Sequence, residues 1–391
     1  MTTFVKKRFI FSCMLICICT LLFLPQMQHI SFAGTLADGT VITEKSDLQK
    51  ATLLFTGDLM ANMPQIVTAK RANGYDFYPS FEFVKPIISS ADLAAGNLET
   101  TFSGAQRVYS GFPRFNAPDE YADAIKDAGF DVLTTTNNHC MDRNFEGIVR
   151  TIEQLDARAI DHFGTYASKE DREKILVEDV NGIKVAFVGW TFSTNKIPVA
   201  NNKKWSVALA LQNEVAKDIE RAKSLNPDLI VAMPHIGIEY RPAPPPFIKG
   251  FVKWLLDKGV NVVIASHPHV VQQFEFRNGN FIAWSMGNFI SNQWIKPRDV
   301  GAIVKLNIEK QNNKTVIESA EIIPTWVQRQ KKDGSRTSMV MVISDALNSP
   351  QNYQLSTADI QRLKAADRDF SQRIMKMTKK PEEQGYIMIN K

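Results

Sequence analysis

Residues 228–269 read DLIVAMPHIGIEYRPAPPPFIKGFVKWLLDKGVNVVIASHPH. Asp228–Met233 is a short run of branched apolar residues that ends at His235. Phe247–Lys258 carries apolar residues at helical spacing and stops at Gly259. Asn261–Ala265 is a second branched run, ending at His267-Pro268-His269. Strand, helix and strand in this order make a crossover between parallel strands, the unit of an α/β fold. Both strands finish on histidine. The prolines from Pro242 to Pro246 read as a rigid loop walling this end of the unit rather than as a partner-binding segment.

The same grammar extends outward. Ala51–Thr56 reads as a strand ending at Gly57-Asp58, and Asp92–Gly96 as one ending at Asn97-Leu98-Glu99. Asp131–Thr136 ends at Asn137-Asn138-His139, Lys184–Trp190 is a further strand, and Phe281–Ser285 ends at Gly287-Asn288. Helices are expected at Phe81–Ser90, Pro118–Ala128, Phe145–Ala157 and Leu209–Ser224. Ala302–Glu309 and Thr315–Ile323 switch to a hairpin around Asn312-Asn313-Lys314. Ser356 or Thr357 caps a final helix over about Ala358–Met377. The expected organisation is one α/β domain over 48–330 and a helical appendage over 331–391.

Before that domain, Lys6-Lys7-Arg8 precede an apolar stretch from Phe9 to about Leu24, then Pro25 and Ser31-Phe32-Ala33. Basic, apolar and small residues in this order make a secretory leader over 1–33, either cleaved after Ala33 or retained as an anchor. The body is therefore expected outside the cytoplasm. The chain's net charge of +5 includes those three leader cations and no leader acid, so the remainder carries +2. That is too little for a nucleic-acid partner. Three of the four cysteines also lie in the leader, which leaves Cys140 alone and excludes an internal disulfide in the body. Cys140 reads as a small buried hydrophobe rather than a nucleophile.

The ligand-type residues fall in one kind of place. Asp58, Glu99, Asn138, His139, His235, His267 and His269 all sit at strand ends, the rim where open α/β sheets bind ligands. Of the five histidines outside the leader, only His162 lies elsewhere. Taken singly, each has a plain structural reading: a cap or turn at Asp58, Asn137 or Asn138, a solvated charge at Glu99, a core histidine at His235. As an ordered set they suit one or two divalent cations, with Mn, Zn and Fe all compatible. Arg107, Arg114, Arg241 and Arg298 lie in loops near these motifs, as anion contacts or as solvated charge. No Gly-rich phosphate loop and no Gly-x-Ser-x-Gly elbow occurs, so ATP use and serine hydrolysis have no support.

Thr56-Gly57-Asp58, Gly96-Asn97-Leu98-Glu99, Asn137-Asn138-His139 with Asp142, and His235-x-Gly237-x-Glu239-Tyr240 follow one another in the chain. His267-Pro268-His269 and Ser285-Met286-Gly287-Asn288-Phe289 complete the series. In this order they resemble the CapA/PgsA family of poly-γ-glutamate capsule synthesis proteins, itself similar to calcineurin-like metallophosphoesterases, over about residues 50–292. The resemblance implies a four-layer sandwich, two mixed β-sheets flanked by helices, with a metal centre at one edge. It implies that Glu99 bridges two cations, that Asn138, His235 and His267 complete one site, and that Asp58 and His269 hold the other. His139 would donate a proton to the leaving group, while Asp142 and Glu239 orient histidines. Implied partners are an anionic polymer substrate and membrane subunits of a polymer synthase. One departure stands out: phosphoesterases of that kind carry Asp-x-His at the first strand end, where this chain has Asp58-Leu59-Met60. The rival expectations are a phosphoesterase acting on a surface phosphate and a non-catalytic assembly subunit.

Overall fold

The structure, a computed structural model, describes residues 48–332 and 335–374 and the short strands Ala33–Thr35, Val41–Thr43 and Tyr386–Ile389. Apart from Ala33, the leader expected over 1–33 lies outside the described residues. Ala33–Thr35 and Val41–Thr43 pair with each other in a unit of their own. Everything from Asp47 onward forms a second, compact unit. Among the described residues no helix is long and apolar enough to cross a membrane.

Two mixed sheets make that unit. The first contains β1 (Gln49–Leu59), β2 (Leu93–Leu98), β3 (Val132–Thr134) and β4 (Asp161–Phe163), all parallel. The second contains β5 (Leu176–Val180), β6 (Ile183–Val188), β7 (Leu229–Ala232), β8 (Val262–Ile264), β9 (Phe274–Arg277) and β10 (Asn280–Ala283), in the order β9-β10-β8-β7-β6-β5. There β6, β7, β8 and β10 are parallel, with β5 and β9 antiparallel at the two edges. The chain then returns to the first sheet. β11 (Asn288–Ile290) pairs with β1, and β12 (Val300–Gln311) lies antiparallel along β1. β13 (Lys314–Lys332) and β14 (Ser335–Val342) extend that edge.

Side-chain alternation explains why the strands are apolar on both faces. In β1, Leu53 and Phe55 point into the layer between the sheets, where they meet Phe187, Val231 and Val262 of the second sheet. Leu54, between them in sequence, faces the other way, into a core with Tyr121, Ile125 and Phe81. Likewise Ala186 and Val188 of β6 back onto Ile219, Val252 and Leu255. These come from α4 (Gln212–Ser224) and α5 (Pro246–Asp257), numbered after α1 (Met63–Ala69), α2 (Glu120–Asp127) and α3 (Asn144–Asp156). A sheet covered on both faces needs two apolar sets, which is why its strands read as continuous hydrophobic runs. Two mixed sheets flanked by helices is the sandwich that the motif order implies.

Several expected elements shift. Phe81–Ser90 is helical only over Lys85–Ile88, because Pro86 sits at its first turn and the flanking residues make turns. The hairpin is longer than its apolar core, with Asn312 and Asn313 both at positive φ in the turn. The segment expected as a helical appendage opens instead with β14, an edge strand of the first sheet. Only then come Ile343–Asn348 and α6 (Thr357–Asp369), the latter capped by Ser356 in a capping box with Asp359. Leu363 and Ala366 of α6 pack into the core between the sheets, so this segment continues the main body.

One close approach fixes the rim. The Asp58 amide donates to the Gly287 carbonyl, and a Cβ on Gly57 would lie 1.9 Å from that same oxygen. Only glycine lets β1 and the Met286-Gly287 turn meet. Gly57→Ala is therefore expected to cost about 3 kcal/mol or more of stability, read as a lower denaturation midpoint; an unchanged midpoint would contradict this packing.

Candidate metal centre

The motif residues converge at one end of the two sheets. Asp58, Glu99 and His269 are buried, and each offers a ligand atom within 4.8 Å of the others. His235 Nε2 lies 3.8 Å from Glu99 Oε1, 2.7 Å from Asn138 Oδ1 and 3.1 Å from His267 Nδ1. Glu99 thus stands between two groups, Asp58 with His269 on one side and Asn138, His235 and His267 on the other. His269 Nε2 is 3.7 Å from the Glu99 carboxylate.

The surrounding network sets the orientations. His269 Nδ1 lies 3.1 Å from Asp58 Oδ2 and 2.9 Å from Asn288 Oδ1. Both neighbours accept, so Nδ1 carries the proton and Nε2 presents its lone pair toward Glu99. Asn97 donates to Asp58 Oδ1 at 2.8 Å, and the same nitrogen lies 3.3 Å from His235 Nδ1. Ser266 Oγ also reaches that Nδ1, at 3.0 Å. Asn97 Oδ1 accepts from Asn137, whose amide also donates to the Leu98 carbonyl. The backbone is strained here as well: φ is 98° at His267 and 55° at His269. Non-glycine residues persist in that region where surrounding structure forces them, commonly at functional sites.

Glu99 tests whether this group suits a cation. Both of its carboxylate oxygens are buried, and among the described residues neither has a hydrogen-bond partner. Burial, then the charges of Asp58 and Glu239, hold its pKa well above the usual carboxylate range. Burial beside other imidazoles also pushes His235 far down and brings His267 to about 4. Two orphaned oxygens flanked by neutral imidazoles form a donor set that lacks only positive charge. Mixed nitrogen and oxygen donors suit Mn, Zn or Fe.

His139 stands beside this centre rather than in it. Its Nδ1 is 2.7 Å from Asp142 Oδ2, which also accepts from the Phe115 amide at 2.6 Å. The Phe115 ring packs edge-on against the imidazole at 4.6 Å. A cavity of about 460 Å³ opens over it, lined among others by Asn138, Arg114, Asn195, Glu239 and Tyr240. Glu239 is exposed on that rim. With burial, it raises the Tyr240 phenol to about 12, and it reaches Glu99 by charge. Arg298 stacks on Tyr240 at 3.3 Å. Cys140 is buried and its thiol is pushed up to about 12, so it offers no thiolate.

Of four supporting residues, Asn97 and Asn288 stand inside the quoted motifs without an assigned role, and Ser266 and Asn195 stand outside them. Asn97 shares its strand face with Glu99 two residues on, a period-2 signal visible in sequence. Ser266 directly precedes the His267 motif. Asn195, which accepts from the Asn138 amide at 3.2 Å and lies 3.4 Å from both His139 ring nitrogens, comes from a distant loop that gives no signal.

With this geometry in hand, comparison is informative. A profile of the bacterial capsule synthesis protein family PGA_cap matches residues 52–293. The chain belongs to that family. It is 29% identical over 322 residues to the capsule biosynthesis protein CapA of Bacillus anthracis, covering 80% of this chain and 74% of that one. It is 28% identical over 320 residues to the PGA biosynthesis protein CapA of Bacillus subtilis strain 168, covering 79% and 81%. Among solved structures it is similar to the NAD nucleotidase of Haemophilus influenzae, with a TM-score of 0.45 at 10% identity, covering 83% of this chain and 61% of that chain. The sulfate thiohydrolase SoxB of Thermus thermophilus gives 0.41 at 12%, covering 82% and 60%. The chain thus spans about three fifths of each of those two structures.

A pH dependence follows from the raised Glu99 and the lowered histidines. Above about pH 4 His267 is already neutral, so protons compete with a cation mainly at Glu99. Cation affinity is then expected to rise as pH climbs through the raised Glu99 range, with a proton released on binding. Calorimetry in two buffers of different ionisation enthalpy reads this directly; binding without proton release would contradict it.

Proposed function

We propose that this chain is an extracytoplasmic, metal-dependent hydrolase or transferase that works on an anionic capsule polymer, poly-γ-glutamate, in its synthesis or export. The single observation carrying the reading is the buried Glu99 carboxylate, without a hydrogen-bond partner among the described residues, between two imidazole groups, with the His139–Asp142 pair at its edge. The family and its two Bacillus relatives supply the polymer; the geometry supplies the chemistry. Asp58 and His269 would hold one position and Asn138, His235 and His267 the other, with Glu99 within reach of both.

Divalent cations there would polarise a carbonyl or phosphoryl oxygen and lower the pKa of a water. The chain's own residues do the rest. Hydrolysis of an amide linkage breaks the C–N bond, places the water's hydroxyl on the carbon and needs a proton on the departing nitrogen. His139 is placed to deliver that proton from Nε2, because Asp142 holds Nδ1 and stabilises the charged ring. Phe115 packs against the imidazole and limits water around it. The leader and the membrane synthase subunits expected from the sequence would put this reaction at the cell surface.

An ordinary phosphoesterase fits less well. At the position of its first-strand histidine stands Met60, 2% exposed, whose carbonyl accepts from Gln65 and Tyr121. That residue is committed to packing, so the Asp58 side has one imidazole rather than two.

The test is turnover of γ-linked glutamate oligomers by the cation-loaded chain. His139→Ala is expected to lower kcat by roughly 10²- to 10⁴-fold while keeping its metal content. Full turnover in that variant would sink the mechanism and favour the assembly-subunit reading.

A further inference from the structure

The loop between Glu99 and α2 brings a cationic side chain, Arg114, to the cavity wall. It carries Arg107 and Arg114, and Arg143 sits beside it at the start of α3. Among the described residues none of these three guanidiniums is ion-paired, and Arg143 Nε is buried without a partner. The nearby acids are already engaged. Asp119 is held bidentately by Arg150 at 2.7 and 2.6 Å, Glu120 accepts from the Tyr75 amide, and Asp142 belongs to His139 and Phe115. Glu239 lines the same cavity as the one exposed carboxylate named there. Burial, and then the charges of Arg114 and Arg107, push the Arg143 pKa down, as expected for cations crowded together.

The loop is also built to hold its arginines still. Asn116 donates to the Gly104 and Val108 carbonyls and accepts from the Ser103 amide. The Phe112 amide donates to Asn62. Arg114 Nε donates to the Asp142 carbonyl at 2.8 Å and one Nη reaches Asn144 Oδ1 at 3.5 Å, and the side chain lines the cavity that His139 also lines. Asp142 therefore positions both the proton donor and the arginine. A fixed, uncompensated guanidinium beside a reacting centre costs energy by itself and suits a bound anion.

We propose that Arg114, backed by Arg143 and Arg107, is a carboxylate-binding subsite that seats a free carboxylate of the polymer beside the linkage presented to His139. This rests on the polymer reading above and adds to it the residue that selects a polycarboxylate. A planar fork binds a carboxylate by two parallel hydrogen bonds, and a polymer with a carboxylate on each unit brings one into register with each linkage. The two cations behind Arg114 would take the neighbouring units.

The experiment is anisotropy of a fluorescent γ-linked glutamate oligomer with the purified, cation-loaded full chain, repeated over a salt series. The comparison is among the parent, Arg114→Gln, Arg114→Lys and Lys314→Gln. Lys314 lies at the hairpin tip beyond the whole length of β12, so it controls for general charge. Arg114→Gln is expected to weaken binding about tenfold and to flatten its salt dependence. Arg114→Lys should recover only part, since an ammonium lacks the fork, and Lys314→Gln should bind as the parent does. Parent-like binding by Arg114→Gln, or equal losses from Arg114→Gln and Lys314→Gln, would overturn the subsite and leave the polymer reading intact. A parent that binds inorganic polyphosphate but not the glutamate oligomer would overturn both.

Discussion

A carboxylate buried without a partner is the constraint around which this molecule is arranged. Glu99 lies at the end of a central strand, with Asp58 on the neighbouring strand and imidazoles on both sides. Among the described residues no lysine or arginine pairs with it. Its raised pKa in the cation-free state and its readiness to accept a cation are the same fact seen from two sides. The histidines complement it, since burial keeps them uncharged and their lone pairs available.

That arrangement demands a scaffold that does not yield. Parallel strands from both sheets end at the same rim, so ligands from distant parts of the chain meet without long loops. The rim is tightened where Gly57 meets the Gly287 carbonyl and where Gly301 approaches the Asn288 carbonyl within 2.2 Å of any added Cβ. His267 and His269 hold backbone conformations that side chains disfavour. The cores on both faces of each sheet supply the stability that offsets this strain.

Most of the framework was legible because strands covered on both faces must be apolar throughout, and helices must be amphipathic. Short edge strands were not: β4, β5 and β9 mix polar and apolar residues because they lie at or near sheet edges. β14 lacks a long apolar run, so its sequence does not announce a strand. At the site, the residues that touch Glu99 stood out as scarce histidines and acids at strand ends. Those that orient them did not, because asparagine and serine at strand ends look like turn formers. Asn97 could have been found by alternation from Glu99. Asn195 could not, since only the folded loop brings it to Asn138 and His139.

The most direct measurement is the denaturation midpoint of Glu99→Gln against the parent at pH 7, each with and without added Mn²⁺ or Zn²⁺. A buried, unpartnered carboxylate held for a cation is a net cost when the cation is absent. The cation-free variant should therefore be more stable than the cation-free parent, by about 1–3 kcal/mol, while only the parent gains from added cation. A variant that is less stable without cation, or that gains as much from it, would contradict the account.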